Sequence, residues 1–246
     1  MAEYRWNLDA FAVSYDAAAE HIHPHYVELQ ERMLDLVELP KDTPALLVDA
    51  GGGSGRLMEK ALQRWPAARG VVVDQSPAFL ALAERRLAPF GSRAVCLLAR
   101  LQDDWVGQLP AAPNAVLSMS AIHHFTPQEK HDLHRRIAAA LVPGGLFLNG
   151  DEVRPEGDEE YLKRLQRWAA QMQSGLAEGR ISPEFQPALD KWTERNIARF
   201  GEPKTTGDDC HQTIDELLAD FRAVGFAQAD CPWQHAMWAI LRGSQA

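Results

Sequence analysis

Residues 49–55, with the sequence DAGGGSG, form a glycine-rich segment whose glycine spacing is typical of a ligand-binding loop. Glycines let a backbone turn sharply and let a ligand approach where a Cβ atom would collide. The GxGxxG pattern of a dinucleotide site would place Arg56 at its last glycine, and no Gly-Lys-Ser/Thr of a phosphate-binding P-loop follows. The pattern that fits is GxGxG, with Gly51, Gly53 and Gly55 in register.

Polar residues also stand at the ends of three later apolar runs. Asp74 follows three valines, and the two oxygens of a carboxylate there can accept hydrogen bonds from two vicinal hydroxyls. His123 and His124 follow another run, and Asp151 a third. Because histidine exchanges protons near neutral pH, His123 is the first candidate for a catalytic base, with His124 and Asp151 beside it. The alternative is that the histidines form a packed turn and that Asp151 caps a helix.

The elements that must position these residues follow from the hydrophobic pattern. Strands are predicted at residues 45–50, 71–73, 95–98, 115–119, 146–148, 226–231 and 236–241. Most are separated by amphipathic stretches with helical periodicity, and this alternation predicts parallel strands joined by right-handed crossovers. The expected fold is α/β, a Rossmann-like doubly wound sheet, mostly parallel with one antiparallel C-terminal strand. The candidate residues then stand at the carboxyl ends of strands, where such sheets bind ligands.

The chain is predicted to form a single domain over residues 1–246, with two helical additions. Residues 1–40 are predicted as an N-terminal helical segment. Residues 152–206 exceed what the core of the fold needs and are predicted as a helical cap insertion, with Leu165 and Met172 on one face of a helix. That face would either cover the active site and select the substrate or add packing against the sheet.

Composition and charge narrow the function classes. The net charge is −9 and no dense basic run is present, so a small-molecule substrate is favoured over nucleic acid. No apolar run reaches the ~20 residues that cross a membrane, and the first residues lack signal-peptide features, so a cytoplasmic protein without membrane contact is expected. The three cysteines lack CxxC spacing and residues 118–125 offer no carboxylate, so no metal is expected. A homodimer is left open.

Four motifs together resemble the class I S-adenosylmethionine-dependent methyltransferases. They are the glycine segment at 48–55, VDQSP at 73–77, VLSMSAIHHF at 116–125 and LVPGG at 141–145. The resemblance extends over most of the chain in the order of its elements. It implies the fold and S-adenosyl-L-methionine as cofactor, but it does not identify the acceptor. The Pro-His-Tyr segment that ends at Tyr26 makes the layout closest to carboxy-S-adenosylmethionine synthase and its small-molecule-methylating relatives.

The resemblance also implies roles for individual residues. Asp49 and Gly51 would lie against the methionine amino group of the cofactor, with Gly53 in the same loop. Asp74 would hold the ribose, and Gln75 would border the adenine. Further contacts would come from Tyr26, from Ser118 at the end of the fourth strand, and from Arg100 and Leu101, which stand where the family often has an acidic residue.

Methyl transfer from a sulfonium is an in-line displacement, so the enzyme chiefly aligns donor and acceptor and excludes water. The resulting hypothesis is an enzyme that methylates an O, N or C atom of a small molecule. One alternative is an RNA-modification-related enzyme such as carboxy-S-adenosylmethionine synthase, although residues 205–211 lack the arginine that it needs. A second alternative is a non-catalytic scaffold that binds the cofactor. Arg56 disfavours a nicotinamide oxidoreductase.

Overall fold

The computed structural model describes residues 9–246, and their side chains from residue 12 onward. The part of the predicted N-terminal helical segment before Asp9 lies outside these residues. Within them, seven strands form one sheet: β1 (Leu46–Ala50), β2 (Arg69–Asp74), β3 (Ala94–Leu98), β4 (Ala115–Met119), β5 (Leu146–Glu152), β6 (Gln228–His235) and β7 (Trp238–Ser244). The strand order is β3-β2-β1-β4-β5-β7-β6, and only the pairs that involve β7 are antiparallel. This confirms the predicted Rossmann-like sheet with one antiparallel C-terminal strand.

Residues 9–246 contain eight α-helices, two of which begin at a capping box in the sequence. They are α1 (Asp9–Ile22), α2 (Tyr26–Asp35), α3 (Arg56–Arg64), α4 (Pro77–Leu87), α5 (Pro127–Ala140), α6 (Asp158–Ala177), α7 (Gln186–Thr193) and α8 (Ile214–Ala223). Thr126 and Glu129 form a capping box ahead of α5, and Thr213 and Glu216 form another ahead of α8. Each box bonds backbone N–H groups that a first helical turn leaves without partners. None of these helices has the length and apolar character needed to span a membrane.

Helices cover both faces of the sheet. All five residues of β1 are buried, as is typical of a central parallel strand. Leu47 and Leu117 belong to the hydrophobic cluster that includes α2, α3 and α6, whereas Val48 and Val116 belong to the cluster that includes α5 and α8. Alternate residues of one strand therefore reach opposite layers of the core.

The predicted helical cap, residues 152–206, contributes to the larger of these clusters. Leu165 and Met172 of α6 are buried in it, as the helical periodicity predicted, and Trp168 is buried beside them. The indole N–H of Trp168 donates to the carbonyl oxygen of Ile22 at 2.7 Å, which links α6 to the end of α1. The segment is therefore an integral layer of the core.

Candidate active site

A cavity of about 840 Å³ lies at the carboxyl edge of the sheet, where the strand order reverses between β1 and β4. Open α/β sheets bind ligands at such a switch point, and small-molecule sites occupy about 300–1,000 Å³. The cavity is lined by residues at or just after the ends of β1, β2, β4 and β5, together with side chains of α1, α2, α6 and α7.

The glycine segment turns the chain from β1 into α3 along the cavity wall. Gly51, Gly53 and Gly55 have φ values of +73°, +51° and +76°, a region that favours glycine over other residues. A Cβ atom at Gly51 would lie 2.6 Å from the Cβ of Ala121, so a side chain there would displace the loop that follows β4. Gly51 and Gly53 both line the cavity.

Asp49, near the end of β1, is a buried carboxylate of which one oxygen lacks a hydrogen-bond donor among the described residues. Its side chain lines the cavity although the residue is only 1% exposed, and its Oδ2 atom accepts no hydrogen bond from the residues that the structure describes. Burial raises the pKa of Asp49 to about 7, and the charge of Asp74 adds to the effect. A cation bound in the cavity would satisfy the free oxygen and stabilise the charged form.

Asp74, at the end of β2, has both oxygens oriented by backbone groups. Gly53 N–H donates to Oδ2 at 3.0 Å and Ser76 N–H donates to Oδ1 at 2.8 Å. Burial raises the pKa of Asp74, and the backbone hydrogen bonds oppose that shift only in part. Because each carboxylate oxygen accepts a second hydrogen bond, Asp74 retains the capacity to bind two hydroxyls in the cavity.

Most of the remaining residues proposed for the cofactor also line the cavity. Gln75, Arg100, Leu101 and Tyr26 do so, and burial raises the pKa of the Tyr26 phenol to about 12, which keeps it a hydrogen-bond donor. Ser118 is placed differently, since its buried hydroxyl donates to the carbonyl oxygen of Ala50 at 2.7 Å and does not line the cavity. The next two residues of the chain, Met119 and Ser120, line it instead.

His123 lies in a short turn after β4, where it contacts Asp151 of β5. Its Nδ1 atom is 2.7 Å from Asp151 Oδ1, and its backbone N–H donates to Asp151 Oδ2 at 3.0 Å. His123 lines the cavity, whereas Asp151 does not. Burial lowers the pKa of His123, but the charges of Glu152 and Asp151 outweigh burial and raise the pKa to about 9. The surrounding carboxylates therefore stabilise the protonated form of the ring.

Glu152, the last residue of β5, is surrounded by donors. Its Oε2 atom lies 3.2 Å from His123 Nε2 and 3.2 Å from His211 Nε2, and Ser120 donates to Oε1 at 2.9 Å. The Tyr161 hydroxyl lies 2.6 Å from His211 Nδ1 and orients that ring. Burial by itself raises the pKa of Glu152, but the charge of His123 and the bond from His211 bring it well below its usual range.

Asp209, in the loop before α8, completes the polar cluster. Its Oδ1 atom lies 3.2 Å from His124 Nδ1 and 3.9 Å from His123 Nε2. Its Oδ2 atom accepts hydrogen bonds from Trp192 Nε1 at 2.6 Å and Asn196 Nδ2 at 2.9 Å. Burial raises the pKa of Asp209, yet the bond and charge of His124 hold it well below its usual range.

Sequence reasoning does not find Asp209, Asn196 or Asp16, because none of them belongs to a motif. Asp16 in α1 pairs with Arg56 and Arg86, each at 2.9 Å, and thereby holds α1 over the glycine segment. These residues come from the N-terminal helix and from the chain between α7 and α8, and only the fold brings them to the cavity. The one available signal is that Asp209 lies shortly before a predicted helix at the ligand edge of the sheet.

An apolar wall faces this polar cluster. It is formed by Trp168, Met172, Phe185, Leu189 and Trp192. The rings of Trp168 and Trp192 meet edge to face, with centroids 5.1 Å apart. The cavity thus offers carboxylates on its β1–β2 side, a histidine–carboxylate cluster on its β4–β5 side, and an apolar surface from α6 and α7.

The carboxylate side suits S-adenosylmethionine on three grounds. The free oxygen of Asp49 matches the ammonium group of the methionine part, and the remaining acceptor capacity of Asp74 matches the two ribose hydroxyls. The absence of side chains at Gly51 and Gly53 leaves the cavity wall open to close approach. The residues present therefore fit this cofactor.

Comparison with known proteins agrees with this geometry. Residues 47–145 match the family model described as a methyltransferase domain. Trans-aconitate 2-methyltransferase of Methylobacterium nodulans is 33% identical over 135 residues, which cover 55% of this chain and 48% of that protein. Phenazine O-methyltransferase PhzM of Lysobacter antibioticus is 29% identical over 116 residues, which cover 47% of this chain and 33% of that protein. The matches to these curated relatives thus span about half of their length or less.

Solved structures agree with the fold. An O-methyltransferase family 2 protein of Planctomyces limnophilus, solved with apigenin, has a TM-score of 0.63 at 17% identity and covers 100% of this chain and 63% of its own. An O-methyltransferase family protein of Burkholderia thailandensis has a TM-score of 0.61 at 19% identity, with 97% and 59% covered. Residues 47–145 therefore match a methyltransferase domain, and the fold of the described residues is that of the class I S-adenosylmethionine-dependent methyltransferases.

Proposed function

We propose that the protein transfers the methyl group of S-adenosylmethionine to a hydroxyl oxygen of a small, partly apolar molecule. The observation that carries the proposal is that one cavity joins the cofactor-fitting carboxylates to the histidine–carboxylate cluster along an apolar wall. When bound, the cofactor supplies an electrophilic methyl group on a sulfonium, open to in-line displacement by an acceptor.

The β1–β2 side would bind and orient the cofactor. Asp49 would pair with its ammonium group, and Asp74 would accept from its ribose hydroxyls. Tyr26 and Gln75 line the same cavity, so they are placed to border it. Tyr15 of α1 also lines the cavity, and Asp16 anchors this helix to Arg56, so α1 is placed to exclude water from the reacting atoms.

The β4–β5 side would hold the acceptor's protic group. His123 and His124 line the cavity, each beside a carboxylate, and Asp151 acts through His123 as a positioning residue. Three buried carboxylates lie among the imidazoles of His123, His124 and His211, so a neutral hydroxyl, which adds no further negative charge, fits better than the carboxylate of a compound such as trans-aconitate.

The apolar wall would select the body of the acceptor. Trp168, Trp192 and Phe185 present aromatic surface on which a flat molecule can pack. This is the substrate-selecting role that we propose for the helical cap, in addition to its packing role. A net charge of −9 and an apolar wall both disfavour an RNA backbone as the bound partner.

The test is binding of S-adenosylhomocysteine by calorimetry, followed by release of S-adenosylhomocysteine in the presence of S-adenosylmethionine and a panel of phenols. We expect one binding site per chain and turnover with at least one phenol. Asp74→Ala should weaken binding about 10- to 100-fold and lower turnover with it, whereas Asp42→Ala, at an exposed aspartate before β1, is the matched control. Absence of cofactor binding would overturn the proposal, and so would turnover with carboxylates or RNA but with no hydroxyl. A co-purified cofactor with the mass of the carboxylated form would favour the carboxy-S-adenosylmethionine synthase alternative.

A further inference from the structure

Two histidines and one aspartate on the β4–β5 side of the cavity have the spacing of metal ligands. His124 Nδ1 and His123 Nε2 lie 3.2 Å and 3.9 Å from the same oxygen, Asp209 Oδ1. Ligands that share a tetrahedral ion at about 2.0–2.1 Å are separated from each other by about 3.3 Å. We propose that His123, His124 and Asp209 bind one divalent transition-metal ion of the Zn²⁺ type, with an open coordination position toward the cavity.

The groups behind the ligands orient them for this task. Asp151 contacts Nδ1 of His123 at 2.7 Å, which leaves Nε2 for the ion. Trp192 and Asn196 both donate to Oδ2 of Asp209, which leaves Oδ1. Contacts of this kind, above all a carboxylate on the second nitrogen of a ligating imidazole, are characteristic of metal sites in proteins.

Charge provides a second argument. Asp151, Glu152 and Asp209 are 2%, 3% and 6% exposed, and Glu152 Oε2 lies 3.2 Å from His123 Nε2. Buried carboxylates need compensating positive charge, and a divalent ion between them and the imidazoles supplies it. Two imidazole nitrogens and one carboxylate oxygen suit Zn²⁺, Co²⁺ or Fe²⁺, whereas Mg²⁺ and Ca²⁺ prefer oxygen ligands alone. The expectation of no metal rested on the cysteine spacing and on the lack of a carboxylate at residues 118–125, whereas Asp209 comes from the loop before α8.

The function of the ion rests on the proposed hydroxyl methylation. An ion with an open position would bind the acceptor hydroxyl and lower its pKa. The hydroxyl proton would pass to the solvent as the acceptor binds, and the oxygen would then be aligned to displace the methyl group, with S-adenosylhomocysteine as the leaving group. In this arrangement His123 holds the ion and does not need to accept a proton.

The experiment measures metal binding without acceptor or cofactor, so its outcome does not depend on the proposed activity. The full chain is freed of metal with a chelator, the chelator is removed, and ZnCl₂ is titrated by calorimetry and CoCl₂ by visible absorption. We expect one ion per chain, a Kd for Zn²⁺ of about 1 µM or tighter, and ligand-field bands from bound Co²⁺. Asp209→Asn and His124→Gln should each weaken binding at least ~100-fold.

The matched control is His131→Gln, because His131 also contacts a carboxylate, Asp220, at 2.6 Å but lies outside the cavity. It should bind Zn²⁺ as the unaltered protein does. His124 is the least buried of the three ligands, so its variant tests the site even where Asp209→Asn does not fold. Absence of saturable binding, or equal affinity in the His124 variant and the control, would overturn the metal proposal. S-adenosylhomocysteine binding measured on the same samples tests the proposed function separately.

Discussion

We expect Asp49→Asn to stabilise the cofactor-free protein at pH 8 and, at the same time, to weaken cofactor binding. Asp49 is 1% exposed, and within residues 9–246 no group donates a hydrogen bond to its Oδ2 atom. Burial, with the charge of Asp74, raises the pKa of Asp49 from 3.8 to about 7, so the folded state disfavours the carboxylate form. Asparagine has nearly the same shape and carries no charge, so the substitution removes the unfavourable burial of charge and also the partner of the cofactor's ammonium group.

The magnitude follows from proton linkage. A pKa difference of about three units, at about 1.4 kcal/mol per unit, corresponds to about 4 kcal/mol. Because the pKa is raised in the folded state, the unfolded chain ionises first, and wild-type stability falls as the pH rises from about 4 to about 7. Asparagine retains a burial penalty of its own, so we expect Asp49→Asn to gain about 2–4 kcal/mol at pH 8 and little near pH 4.

The assay is urea denaturation of both proteins across this pH range, with calorimetric titration of S-adenosylhomocysteine at pH 8. Loss of a charged hydrogen bond of about 1.5–3 kcal/mol should weaken binding about 10- to 100-fold. Wild-type affinity should also fall below pH ~7, because only the carboxylate form pairs with the ammonium group. The reasoning is refuted if Asp49→Asn is no more stable than wild type at pH 8, or if the two proteins lose stability in parallel as the pH rises. Asp42→Asn, at an exposed position, is the control and should change neither property.

Three further substitutions test the two sides of the cavity. Asp74→Ala should weaken S-adenosylhomocysteine binding about 10- to 100-fold in calorimetry, since the ribose hydroxyls lose their acceptor, and unchanged affinity would remove Asp74 from the site. Gly53→Val should abolish cofactor binding while circular dichroism shows a folded protein, because φ is +51°, a region that favours glycine, and a branched side chain would stand at the cavity wall; wild-type affinity would show that the loop is misassigned. Ala188→Phe, on the cavity side of α7, should keep cofactor affinity within about twofold and slow methylation of a phenol at least ~10-fold; an equal rate would place the acceptor elsewhere.

Elements with local signals could be predicted closely from the sequence. The predicted strand at 115–119 coincides with β4, and α4 begins where Ser76 caps it and Pro77 occupies its first turn. The strand predicted at 146–148 continues in the structure to Glu152. That extension is polar and does not resemble a strand, but pairing with β7 aligns Asp151 with Ala239. Pairing between distant segments extended β5, and a local pattern does not contain that information.

The helical cap shows a different limit. Periodicity correctly placed Leu165 and Met172 on one buried face of α6. It did not show what that face contacts, and the structure places it in the same cluster as Ile22 and Trp238. Replacing the whole segment with a linker would therefore expose the core of the sheet, so point substitutions such as Ala188→Phe are the appropriate test of acceptor selection.

The two sides of the site differ in how far they could be predicted, and the difference has a physical origin. Two consecutive strand–loop–helix units contain Asp49, Gly51, Gly53 and Asp74, so sequence spacing alone brings these residues together on the β1–β2 side of the cavity. His123, Glu152 and Asp209 lie at the ends of three separate elements. His123 Nε2 is 3.2 Å from Glu152 Oε2 and 3.9 Å from Asp209 Oδ1, and these distances depend on how the whole sheet and the loop before α8 are packed. Side chains on the second side can therefore vary without disturbing the first. A substitution such as Asp209→Asn should accordingly change metal or acceptor binding while cofactor affinity stays within about twofold, and a large loss of cofactor affinity in that variant would show that the two sides are coupled.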